Sequence, residues 1–81
     1  MQIKILGTGC PKCGRLEKVT RQVASEMGIE ADFTKVKDID AIMAYDVMNT
    51  PALVIDESVK SSGRIPRNEE IAEWIRAAQS L

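Results

Sequence analysis

The chain changes its hydrophobic period within its first ten residues. Gln2–Leu6 is short, rich in β-branched residues and followed by glycines, which predicts a strand. From Cys10 to Met27 the apolar residues recur at steps of three and four, which predicts a helix that begins at Pro11 and ends before Gly28. A strand that passes into a helix and then into a second strand forms a crossover unit with two parallel strands.

The rest of the chain continues this alternation. A second strand is predicted over residues 29–36, and a short second helix over residues 38–46. The continuous apolar run over residues 51–55 predicts a central strand buried on both faces, and residues 59–62 form its hairpin partner after a turn. A last helix is predicted from an N-cap at Asn68. Its apolar face consists of residues at helical spacing, namely Ile71, Trp74, Ile75 and Ala78.

The predicted order is therefore β-α-β-α-β-β-α, in a single domain that spans residues 1–81. The crossover supplies a parallel pair of strands and the hairpin an antiparallel pair. The expected fold is α/β, with a four-stranded mixed sheet flanked by three helices on both faces. Because the chain has only three aromatic residues, its core must be aliphatic.

Composition excludes several classes of function. The chain has no histidine, which rules out Ser-His-Asp and Cys-His catalysis and His-ligated zinc or haem. Eleven basic and twelve acidic residues give a net charge of −1, which argues against a nucleic-acid partner. No apolar stretch approaches the roughly 18 residues of a membrane span, and residues 1–6 are too short for an export signal. We therefore expect a cytoplasmic protein with no membrane partner.

Two cysteines lie at the junction between the first strand and the first helix. Thiols stay mostly reduced in the cytoplasm, so this pair indicates redox chemistry or metal binding rather than a structural disulfide. If Cys10 is the N-cap, Pro11 is the first helical residue and Cys13 the third, which brings both sulfurs within bonding distance. The helix N-terminus and Lys12 stabilise a thiolate, so the pKa of Cys10 should fall below about 8.5.

These positions suggest different roles for the two thiols. We predict that Cys10 is the attacking thiolate and Cys13, one turn further into the helix, the resolving thiol. Gly9, Pro11 and Lys12 support them. Apart from the redox-active disulfide between these cysteines, no cofactor and no resident metal is expected.

Other functions for the same two sulfurs stay open. A soft-metal or metalloid carrier is one, since two thiolates can hold Cu(I), whereas zinc needs about four ligands and therefore a dimer. Copper-carrying domains with a similar C-x-x-C loop place a hairpin between two helices and end on a strand, whereas this chain is predicted to end on a helix. A non-enzymatic partner-binding module and simple core packing are the remaining alternatives.

A second motif, Thr50-Pro51, opens the buried third strand. Proline belongs at the first residue of such a strand, because inside it a ladder donor would be lost. The third strand is expected to lie antiparallel beside the first, which places its start next to Cys10. We predict that Thr50 and Pro51 bind an extended substrate peptide there.

Together these motifs resemble the thioredoxin superfamily. The shared features are Cys10-Pro11-Lys12-Cys13 after the first strand, Thr50-Pro51 before the third, and a hairpin followed by a helix. In more detail, residues 5–13, 50–55 and 62–66 resemble the small thioredoxin-like family called redox-active disulfide protein 2. This resemblance implies a minimal thioredoxin-like fold, a dithiol–disulfide couple and a cis peptide bond at Thr50–Pro51.

The resemblance also implies an activity and partners. The expected function is that of a monomeric thiol–disulfide oxidoreductase, which reduces protein disulfides in electron transport and cell redox homeostasis. A thioredoxin-reductase-type donor would recycle it. Two departures matter: thioredoxins carry tryptophan where Gly9 stands, and Gly63 is not followed by the acid with which glutaredoxins hold glutathione. The second departure argues against glutathione as a partner, and Arg64 and Arg67 are interpreted as a solvated loop.

Overall fold

The computed structural model describes residues 1–79, and all seven elements occur in the predicted order. The strands are β1 (Gln2–Leu6), β2 (Asp32–Val36), β3 (Ala52–Ile55) and β4 (Ser58–Ser62). The helices are α1 (Pro11–Glu26), α2 (Ile39–Met43) and α3 (Asn68–Gln79). The predicted fold class is therefore confirmed.

The strands form one mixed sheet in the order β2-β1-β3-β4. β1 runs parallel to β2 and antiparallel to β3, and β3 pairs antiparallel with β4. Leu6, the last residue of β1, lies opposite Ala52, the first residue of β3. This register brings the segment that follows β1 and the segment that precedes β3 to the same end of the sheet.

Aliphatic side chains form a core on each face of the sheet. Because side chains alternate along a strand, Leu53 and Ile55 of β3 face one way, and Ala52 and Val54 face the other. The first face packs against α1 and α3 in a cluster of nine buried residues: Ile3, Ile5, Leu16, Val23, Ala24, Leu53, Ile55, Ile71 and Ile75. The second face, beneath α2, holds Leu6, Ile42, Val47, Ala52 and Val54. All four residues of β3 are buried, as its continuous apolar sequence predicts.

Three elements are shorter than the sequence pattern indicates, and β3 differs least, since it begins at Ala52 and not at Pro51. β2 begins at Asp32 instead of residue 29. Residue 29 still belongs to the C-terminal cap of α1, because the Ile29 N–H donates to the Ala24 carbonyl at 2.9 Å. α2 ends at Met43 instead of residue 46. Beyond Met43 the Tyr45 and Asp46 N–H groups donate to carbonyls three residues back, at 3.1 and 2.9 Å, and Asp46 then turns left-handed with a φ of 60°.

The start of α3 corrects another expectation. The Ile71 N–H donates to the Arg67 carbonyl at 3.1 Å, so the N-cap is Arg67, and the prediction of Asn68 is wrong. Glu70, three residues on, accepts from the Arg67 N–H at 3.4 Å and from Arg64 Nη2 at 2.7 Å. A side chain that reaches back to the N-cap N–H forms half of a capping box. Arg64 and Arg67 are exposed, and both pair with Glu70.

Candidate active site

The site is built on the connection between β1 and α1. Beyond Leu6 the Gly7 N–H still donates to the Val36 carbonyl at 2.9 Å, which extends the parallel pairing by one step. Gly9 then turns the chain with a φ of 93°, a conformation that favours glycine. Cys10 is extended at the N-cap of α1, and Pro11 follows at the first helical position.

A disulfide joins Cys10 and Cys13 across the first turn of α1, with their Cα atoms 5.1 Å apart. The Cys13 backbone N–H donates to Cys10 Sγ at 3.2 Å and to the Cys10 carbonyl at 3.0 Å. Cys10 is half-buried, whereas Cys13 is only 6% exposed. Cys10 is therefore the more accessible of the two cysteines.

The other predicted site residues surround this disulfide. Pro11 and Lys12 are exposed on the first turn of α1. The Thr50–Pro51 peptide bond is cis, as the resemblance to the thioredoxin superfamily implies. Pro51 is buried and its carbonyl accepts from the Gly63 N–H at 2.9 Å, whereas Thr50 is exposed. The structure thus places both predicted motifs at one end of the sheet.

Gly7 lies between the two motifs, and sequence reasoning did not single it out. A Cβ atom placed on Gly7 would overlap the Cys13 Sγ and would lie 3.9 Å from the Cβ of Thr50. Gly7 therefore lies between the Cys13 sulfur and the cis-proline loop. The sequence showed Gly7 only as a strand-ending glycine, because this contact depends on how the helix packs against the loop.

A cavity of about 210 Å³ opens beside the disulfide, on the side of β2. Both cysteines and Gly7 line this cavity. Its charged lining residues are Glu17, Lys35 and Lys37. Glu17 pairs with Arg21 at 3.0 Å and with Lys35 at 3.2 Å. Burial opposes the ionisation of Glu17, but hydrogen bonds from Arg21 and Lys35 outweigh it and hold its pKa below the ordinary value. The cavity wall therefore carries an ionised carboxylate and two lysines.

An apolar groove lies on the side of the cis-proline loop. Thr8 and Thr50 form its end near the disulfide, and the rest is lined by residues in and after α2, namely Ile39, Ile42, Met43, Val47 and Met48. Ile39, Met43 and Met48 are 61%, 63% and 95% exposed. Large apolar residues this exposed in one cluster are typical of a contact surface. Sequence analysis assigned no function to these residues, although the apolar positions on both sides of Asp46 were a visible signal.

A disulfide across the first turn of a helix, after a parallel strand and beside a cis-proline, defines a redox site of the thioredoxin class. The sequence profile of the family described as "Thioredoxin domain" matches residues 1–76, and the chain belongs to this family. It is 42% identical over 71 residues to a thioredoxin of Methanothermobacter thermautotrophicus, covering 88% of this chain and 92% of the relative. A thioredoxin of Methanocaldococcus jannaschii is 37% identical over 75 residues, covering 93% and 86%. The protein is a thiol–disulfide oxidoreductase of the thioredoxin type.

A solved structure shows the same fold. Glutaredoxin of E. coli superposes with a TM-score of 0.56, with full coverage of both chains and 20% sequence identity. Within residues 1–79, no helix combines the length and the apolar character needed to cross a membrane. Among the same residues, no three histidine, cysteine or acidic side chains cluster as metal ligands.

Proposed function

We propose that this oxidoreductase reduces disulfides of partner proteins, with Cys10 as the attacking thiolate and Cys13 as the resolving thiol. The observation that carries the proposal is the apolar groove that begins at Thr8 and Thr50 beside the disulfide. A small disulfide has no need of such a surface, whereas the segment on either side of a protein disulfide can bury apolar side chains in it. When Cys10 attacks the partner disulfide, the partner segment beside that disulfide comes to lie next to the groove.

The reaction proceeds in two exchanges. The Cys10 thiolate attacks one sulfur of the partner disulfide, forms a mixed disulfide, and releases the other partner sulfur as a thiolate that takes up a proton. Cys13 then loses its proton and attacks Cys10 Sγ, which forms the Cys10–Cys13 disulfide and releases the second partner thiol. Two electrons pass from the dithiol to the partner. The Cys13 N–H, which donates to Cys10 Sγ, favours the thiolate form of Cys10.

The difference in exposure between the cysteines supports this division of roles. The first exchange requires access to the attacking sulfur, and Cys10 is the more accessible one. The second exchange is internal, so a buried Cys13 suffices for it. The proposed setting is the cytoplasm, where the protein acts as a monomer and a thioredoxin-reductase-type donor regenerates its dithiol.

Trapping the mixed disulfide tests this proposal. Cys13→Ser keeps the attacking thiolate and removes the resolving thiol, so we expect covalent adducts with partner proteins through Cys10, released by added dithiol. Cys10→Ser is the matched control and should give no adduct. Adducts would be recovered under acid quench and identified by mass spectrometry.

The same variants separate the carrier hypothesis from catalysis. In a soft-metal carrier each replacement deletes one of two ligands, so both variants should bind Cu(I) or arsenite similarly weakly. An absence of adducts with Cys13→Ser, together with tight Cu(I) binding by the unaltered protein, would contradict the proposed function.

A further inference from the structure

We infer that Gly7 sets the equilibrium between the disulfide and the dithiol by leaving room for the Cys13 sulfur. In the disulfide form a Cβ atom at Gly7 would overlap the Cys13 Sγ and would lie 3.2 Å from the Cys13 Cβ. Cys13 is only 6% exposed, and in the disulfide its sulfur is held in place by the bond to Cys10. A side chain at residue 7 would contact the sulfur that forms the disulfide, so it would change the relative stability of the disulfide and the dithiol.

The backbone conformation at residue 7 does not require glycine. The glycines with positive φ are Gly9, Gly28 and Gly63, and Gly7 is not among them. Alanine can therefore adopt the Gly7 backbone conformation and keep the N–H that donates to the Val36 carbonyl. What alanine adds at this position is the volume of one methyl group, directed at Cys13.

The two redox states respond differently to this methyl group. In the disulfide, Cys13 Sγ is fixed by its bond to Cys10, so the overlap can be relieved only by moving backbone. In the dithiol, the bond is absent and the Cys13 side chain can rotate toward another staggered position. The tight contact with the Cys13 Cβ is common to both states and cancels between them. A methyl group at residue 7 therefore disfavours the disulfide relative to the dithiol.

Equilibration with dithiothreitol tests the inference without a protein partner. Dithiothreitol transfers two electrons and two protons to the Cys10–Cys13 disulfide, which becomes two thiols while the reagent closes to its cyclic disulfide. For Gly7→Ala we expect the equilibrium constant to shift at least about tenfold toward the dithiol, which corresponds to a potential about 30 mV more oxidising. The fractions would be measured by rapid alkylation under acid quench and mass spectrometry.

Gly14→Ala is the matched control. Apart from its two chain neighbours, Cys13 and Arg15, and the backbone of α1, a Cβ at Gly14 meets no atom within 4 Å. Its equilibrium constant should stay within about twofold of the wild-type value, since neither redox state gains a clash. An unchanged constant for Gly7→Ala, or an equal shift in both variants, would overturn the inference.

Urea unfolding keeps the inference testable if Gly7→Ala folds poorly. The oxidised variant should lose more stability than the reduced variant, each compared with the wild-type protein in the same state. In a Cys13→Ala background, which lacks the sulfur, Gly7→Ala should cost much less stability than it does in the oxidised protein. The same loss in that background would show that the methyl group clashes with something else, and the inference would then be wrong.

Discussion

The two cysteines differ in accessibility, although both belong to the first turn of one helix. In the reduced protein we therefore expect a pulse of iodoacetamide to modify Cys10 well before Cys13. Lys12→Glu replaces a positive charge near the Cys10 thiolate by a negative one, and because an exposed ion pair contributes about 0.2–1 kcal/mol, Cys10 alkylation near neutral pH should slow by up to about fivefold. Peptide mapping by mass spectrometry measures both rates. Faster modification of Cys13 would reverse the assigned roles.

The sequence predicts which residues carry the redox chemistry better than it predicts the residues that surround them. The positions of Cys10 and Cys13 follow from local rules, namely glycines before a helix and proline at its first position. Gly7 and Glu17 could not be assigned in this way. Their relevance depends on contacts with Cys13 and with Lys35 of β2, which follow from the packing of α1 onto the sheet and leave no mark in local spacing.

The connection between β4 and α3 predicts how stability depends on pH. Hydrogen bonds from Arg64 and then Arg67 outweigh burial and lower the pKa of Glu70 from 4.5 to about 2. A carboxylate whose pKa is lowered by folding stabilises the protein fully above its unfolded-state pKa, and this contribution is lost as the pH falls toward 2. Glu70→Gln should therefore be less stable than the wild-type protein at pH 7, and the difference should shrink below pH 4.5 and be lost as the pH falls through about 2.

Urea unfolding at several pH values measures this difference. Glu69→Gln is the matched control, because it changes the neighbouring exposed carboxylate in the same helical turn. Its stability should differ from wild type by no more than about 0.5 kcal/mol at any pH. Added salt should narrow the Glu70→Gln difference, since these arginines are exposed and their charges are screened. A difference that persisted unchanged at pH 2 would contradict the role of the Glu70 carboxylate.

Hydrophobic period predicted the existence and order of the elements but not their ends. The buried run of β3 and the helical stripe of α1 are strong patterns, because each reports one continuous packing surface. The ends depend on single interactions that periodicity does not encode. α2 ends at Met43, three residues before the left-handed Asp46, and α3 starts at Asn68 after an N-cap at Arg67, whose N–H donates to Glu70. Asn68 was predicted as the N-cap because asparagine is a preferred capping residue. That preference does not include the hydrogen bond between Arg67 and Glu70, three residues further along the chain.

The helices cover the two faces of the sheet to different extents, and the less covered face offers a surface for a partner protein. One face of the sheet is covered by α1 and α3, whereas the other carries α2, which has only five residues. So short a helix leaves its apolar residues and those that follow it partly uncovered beside the redox site. Met48 is the most exposed of them at 95%, so it adds little to the core and is available to a partner.

Met48→Ser should therefore separate partner binding from redox chemistry. Burying a methionine side chain contributes about 1.5–3 kcal/mol, so partial burial against a partner predicts about a tenfold loss in kcat/KM for a protein disulfide. Stability should change by less than about 0.5 kcal/mol, and the equilibrium with dithiothreitol should not change. Val59→Ser is the matched control, because Val59 is exposed and apolar but lies outside the groove. Equal losses in both variants, or none in Met48→Ser, would show that the groove does not bind the partner.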